Sequence, residues 1–167
     1  MKWYFLILIS FLFAAVEVAF PPSWQLGYCH PELALLLAVY LSLNAEPREA
    51  PYAAWLVGLT KDLFSTGRMG THAILFLGGS LTLLALRRFF YRDEILVQAC
   101  IALAAVFVSS LVYILQMRLV LPGTQARAWF GHAAVVSLYS AACAPIVFLI
   151  LDILRKPLGA YERLRLY

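Results

Sequence analysis

The candidate side chains for proton transfer or metal binding are few and scattered, chief among them Glu17, His30, Glu32, Asp62, His72, Asp93, Glu94, His132 and Asp152. Catalysis needs such groups to converge, yet most of these fall at the ends of apolar runs, where a polar head reaches an interface cheaply. The sequence holds no nucleophile elbow, no phosphate-cradling glycine loop and no His-x-x-x-His pair. Cys29, Cys100 and Cys143 stand far apart, without the close paired spacing of a metal site. Cys29 beside His30 supplies two neighbouring ligands but not a tetrahedral set. The chain is read as a non-enzyme with no catalytic, cofactor or metal site.

The densest polar stretch runs from Gly58 through Lys61, Asp62, Ser65, Gly67, Arg68 and Gly70 to His72. Asp62 ends one apolar run, where the exposed carbonyls of a helix C-terminus disfavour a negative charge. The start of the next run offers compensation in its unpaired backbone N–H groups near Thr71 and His72. Gly67 and Gly70 permit the left-handed or close-approach conformations of a folded-back connector. Asp62, Gly67, Gly70 and His72 are therefore expected to form a rigid corner, with His72 a second tie or a contact for a partner. The competing reading is an ordinary solvated turn. Glu17 is the other suspicious carboxylate, one turn from the end of the first apolar run. It is expected to face the interface beside Trp24 and His30 rather than to pair inside.

These residues hang on elements that composition classifies. The 167 residues are 63% hydrophobic and 13% charged, about half the ~25% charged content of soluble domains, with mean hydropathy +0.84. A span needs about 20 apolar residues, so the chain is expected to be a single integral membrane domain over residues 1–167. The apolar segments run from Trp3 to Phe20, Leu33 to Leu43, Tyr52 to Phe64, Thr71 to Phe89, Ile95 to Val120 and Trp129 to Leu154. An all-α protein of six transmembrane helices is the expectation. The second and third are short for a crossing, so a tilted or re-entrant pair stays open. The first run lacks a clean small-x-small cleavage site and is read as an uncleaved helix. Small residues at helix-packing spacing mark close contacts: Gly78, Gly79 and Thr82; Ala105 and Ser109; Ala133, Ser137 and Ala141. Internal packing is preferred for these faces over a homodimer. Pro145 is expected to bend the last helix.

Orientation follows from the basic residues. With six spans, Lys2, Arg48, Arg87, Arg88, Arg92, Arg155, Lys156, Arg163 and Arg165 share one side, and Lys61, Arg68, Arg118 and Arg127 the other, which accounts for all 13. Both termini are then cytoplasmic and the Asp62–His72 connector lies outside. The sequence pI of about 9.1 does not point to nucleic acid, because the basic residues sit at helix ends without a reading element. Anionic lipid headgroups are their natural partners.

Several of these segments together resemble one family. Pro31-Glu32-Leu33, Val39-Tyr40-Leu41, the run Gly58-Leu59-Thr60-Lys61-Asp62-Leu63-Phe64-Ser65, Gly70-Thr71-His72-Ala73 and Arg87-Arg88-Phe89-Phe90 are similar to the rod shape-determining MreD family. The family commonly has Pro-Leu-Gly where this chain has Arg68-Met69-Gly70, and Pro-Asp at Pro31-Glu32. The resemblance implies a non-enzymatic subunit of the bacterial inner membrane in the cell-elongation machinery. It would pair with MreC and work with the MreB filament, RodA and a transpeptidase penicillin-binding protein in lateral peptidoglycan synthesis. It also implies a fold similar to the substrate-binding subunits of energy-coupling-factor vitamin transporters. That similarity supplies the alternative reading, a small-molecule binding subunit of a transporter. The alternative is disfavoured because polar side chains that would converge in a pocket are sparse.

Overall fold

The computed structural model describes residues 2–19, 21, 31–65, 69–86, 95–120 and 126–158. Among them are six helices and no strand: α1 (Trp3–Val18), α2 (Leu33–Asn44), α3 (Ala50–Phe64), α4 (Thr71–Leu86), α5 (Ile95–Val120) and α6 (Ala126–Leu158). Local chemistry explains the described boundaries. Asn44 folds its side-chain amide back onto the Tyr40 carbonyl at the end of α2, and Pro51 occupies the first turn of α3, where a missing N–H breaks no helical bond. Gly70 adopts φ 93° just before α4, in the left-handed region that glycine enters without Cβ strain.

The helices surround α2. Every residue from Ala34 to Leu43 is buried, and α2 contacts each of the other five helices. An element apolar on all sides belongs at the centre of the molecule, and α2 is that element. Tyr40, Leu36, Leu37, Leu41 and Leu43 are its largest fully buried side chains, with the Tyr40 ring 5.6 Å from that of Phe148 on α6. The stripe of α6 turned inward is Ala133, Val136, Ser137, Ser140, Ala144, Val147, Phe148 and Leu151, all buried at the i, i+3, i+4, i+7 spacing of one helix face. α6 runs continuously through Pro145.

The outward faces are apolar too. Leu8, Phe11 and Leu12 on α1, Ile74 and Leu81 on α4, and Ile146, Leu149 and Ile153 on α6 are exposed. Large apolar side chains left open on three helices are what a membrane or a protein partner covers. By length and composition, one stretch among the described residues is sufficient to cross a bilayer by itself: Gly131–Leu154 of α6, 24 residues long. α1, α2 and α3 have 16, 12 and 15 residues, so the shortness expected of the second and third segments extends to the first.

Candidate functional site

The polar groups gather at one end of the molecule, where α1 and α3 finish and α2 and α4 begin. Asp62 lies in the last turn of α3 and is 3% exposed. Its Oδ2 accepts the backbone N–H of Gly70 at 3.0 Å and of Ala73 at 3.1 Å. Its Oδ1 accepts the backbone N–H of His72 at 3.1 Å and lies 2.8 Å from His72 Nδ1. Since a carboxylate only accepts, Nδ1 carries the hydrogen. The charge that α3 alone would disfavour is thus held by the open N–H groups of α4. Gly58, one turn earlier, lets the two helices meet. A Cβ there would stand 2.6 Å from Ala73 Cα and 2.6 Å from the His72 carbonyl oxygen, inside any tolerable contact.

Next to this corner sits an ion cluster. Lys61 Nζ is 3.1 Å from Glu17 Oε1 and 3.4 Å from Glu32 Oε2, and it lies 5.8 Å from the centre of the Phe76 ring on α4. The second oxygen of Glu17 accepts the backbone N–H of Ala34 at 3.1 Å in the first turn of α2. The Glu32 backbone N–H donates to Ser140 Oγ of α6 at 3.0 Å. One ammonium therefore links α1, α2 and α4 to α3. The expectation that Glu17 faces the interface is corrected: it is 7% exposed, because Lys61 and the α2 N-terminus give its charge a partner. Glu17, Glu32 and Asp62 outnumber Lys61, and the surplus negative charge lies at helix N-termini, where the macrodipole favours it.

Two side-chain contacts lie toward the opposite end. Tyr40 Oη donates to Asp152 Oδ1 at 2.6 Å, and Ser42 Oγ donates to Ser80 Oγ at 2.8 Å between α2 and α4.

Other residues singled out from the sequence fall in different places. Ala133 and Ser137 are buried and Ala141 is half-buried, on the α6 side that meets the core. Gly78 is corrected as a site of close helix packing. It is exposed, and neither it nor Gly79 has another group within 4 Å of an added Cβ, because α4 turns that side away from α3 and α2. The close approach belongs instead to Gly58, whose position inside an apolar run gave no sign of it. Cys100 is exposed and Cys143 half-buried. Gly67, Arg68, Cys29, His30, Trp24, Asp93 and Glu94 lie outside the described residues. Among the described residues no three His, Cys, Asp or Glu side chains stand together as a metal site would require. The arrangement fastens helix ends, tying a carboxylate near the end of one helix to the start of the next.

Residues 1–156 match the family model of the rod shape-determining protein MreD. No curated protein and no solved structure matches the chain.

Proposed function

The chain belongs to the family of rod shape-determining proteins MreD, and from that membership we propose that it is a non-enzymatic, multi-pass subunit of the bacterial inner membrane that serves the cell-elongation complex. In this reading it binds the transmembrane helix of MreC, and through MreC joins MreB, RodA and a transpeptidase penicillin-binding protein in organising lateral peptidoglycan synthesis. Both termini are cytoplasmic. The match over residues 1–156 carries the proposal, and two features support it. The exposed apolar faces of α1, α4 and α6 suit an apolar helix as partner better than a polar small molecule. The Asp62 corner offers a rigid platform, with Met69 on its turn 76% exposed. Gly70 and His72 shape that platform through their bonds to Asp62. The overall arrangement is read as similar to the substrate-binding subunits of energy-coupling-factor transporters, used here to hold a helix.

Depletion in the source bacterium tests the reading. Rods should round up while vitamin uptake continues, and native-membrane purification should recover an MreC-like chain. Normal rods after complete depletion would overturn it, and recovery of an ATPase pair with a coupling subunit would favour the transporter alternative.

A further inference from the structure

The exposed side chains of α1 and α3 change character along the helix axis, and they change in the same order on both. The two helices pack together and run in the same direction. Glu17 near the end of α1 reaches Lys61 near the end of α3, and the Phe11 and Phe64 rings stand 4.8 Å apart. Their starts therefore share one end of the molecule. From Lys2 to Leu12 the exposed residues are Lys2, then Trp3 and Tyr4, then Ile7, Leu8, Phe11 and Leu12. Along the turn before α3 and α3 itself they are Glu46, Pro47 and Arg48, then Tyr52 and Trp55, then Leu59 and Leu63. Each series passes from charge to amphipathic ring to purely apolar side chain.

The rings lie at this end alone among the described residues. Trp3, Tyr4, Tyr52 and Trp55 are the exposed tryptophans and tyrosines there. Toward the other end the exposed large side chains are Val16, Val18, Leu63, Met69 and Ile74, and the carboxylates of Glu17 and Asp62 are buried in the protein. Trp and Tyr settle at headgroup level because the ring is apolar while its N–H or O–H keeps a polar partner. Lys and Arg placed just beyond them reach water and phosphate. Glu46 is exposed beside Arg48, so this layer carries both signs, as a zwitterionic headgroup does. Charge, amphipathic ring and apolar chain is the order in which a bilayer presents itself from water inward. A protein bound at this end would need a complementary patch, but not the same three layers repeated on two helices.

We propose that the starts of α1 and α3 form a collar that binds phospholipid headgroups. Trp3, Tyr4, Tyr52 and Trp55 lie in the headgroup layer of one leaflet, the cytoplasmic one by the charge asymmetry, with Lys2 and Arg48 just outside them. The collar fixes the depth of the two helices that carry Glu17, Lys61 and Asp62. The inference rests on the membrane-spanning reading above.

Tryptophan fluorescence in brominated lipid tests the collar. Two full-length chains keep a single tryptophan, Trp3 or Trp55, with the other three of the four tryptophans replaced by phenylalanine. A third chain has all four replaced and carries Phe11→Trp, eight positions beyond Trp3 and so about 12 Å deeper, inside a half-core of about 15 Å. Each is reconstituted in phosphatidylcholine brominated either near the headgroup or near the chain ends. The collar predicts stronger quenching of Trp3 and Trp55 by the shallow bromines, and of Phe11→Trp by the deep ones. If Trp3 or Trp55 is quenched more by the deep bromines, the collar fails and the spanning reading stands. If Phe11→Trp alone is quenched, the rings face water or a protein instead of lipid, and the collar fails again. If none of the three responds to either lipid, the spanning reading fails with it.

Discussion

Asp62 and Lys61 are neighbours in sequence but solve different problems. Asp62 satisfies three backbone donors and a ring nitrogen, so Asp62→Ala leaves one buried and several half-buried donors unmet. Each costs about 1–3 kcal/mol, which places the loss above the ~0.5–2 kcal/mol of an ordinary surface cap. Asp62→Asn keeps one accepting oxygen but turns an amide donor toward other donors, so its melting temperature in detergent should fall between wild type and Asp62→Ala. An Asp62→Ala protein that melts like wild type would reduce the corner to a solvated turn. Lys61→Met strands Glu17 and Glu32, and breaking a buried ion pair by removing one partner costs about 3–5 kcal/mol. The neutral triple variant Glu17→Gln, Lys61→Met, Glu32→Gln should recover most of that loss in the same melting assay. If it melts no higher than Lys61→Met alone, stranded charge is not the cause.

At the scale of elements, one device appears twice. Near the end of α1, Glu17 reaches the N–H of the second residue of α2, and near the end of α3, Asp62 reaches the N–H groups of the second and third residues of α4. Each pair of consecutive helices is closed by a carboxylate near one C-terminus acting on the next N-terminus, and Lys61 ties the two pairs together. Gly58 sets the spacing of the second pair. Gly58→Ala should gain up to about 1 kcal/mol in helix propensity. It should lose about 1–3 kcal/mol to overpacking, because the obstruction is the backbone of Ala73 and His72 rather than a movable side chain. A net drop in melting temperature is expected, whereas Gly78→Ala, with open space around it, should be neutral or slightly stabilising. A Gly58→Ala chain as stable as wild type would mean that α3 and α4 can separate without penalty. These contrasts also show what sequence could and could not display. A polar residue at a helix end, as at Asp62, advertises a local cap, because its partners are 8 to 11 residues away. Glu17 with Lys61, or Glu32 with Ser140 at a separation of 108, are pairings made by tertiary packing, and no periodicity records them. Glycines give the same spacing signal whether a neighbouring helix is there or not, which is why Gly78 and Gly58 exchange roles.

For the whole molecule, apolar composition made six helices legible, since runs free of charge and bounded by polar turns leave few other folds. It did not reveal their order in space. Nothing in the alternation of apolar residues along α2 distinguishes it from α1, yet α2 is the buried centre and α1 is widely exposed. That difference decides which faces remain for lipid and partners. Charge asymmetry, by contrast, acts on the whole chain at insertion and predicts orientation independently of packing. Nine of the 13 basic residues fall to one side if all six helices cross, and the same parity holds if α2 and α3 together fail to cross. By this asymmetry Met69 is expected outside, and position 90 and the C-terminus inside. Single cysteines at Met69, Phe90 and Tyr167, in a background without the native cysteines, can be exposed to a membrane-impermeant thiol reagent in intact cells with a permeable outer barrier. Met69→Cys, whose parent residue is 76% exposed on the turn before α4, should label, and the other two should label only after the membrane is broken. Labelling at Tyr167→Cys from outside would invert the topology. The buried Asp62 corner would then lie on the cytoplasmic side.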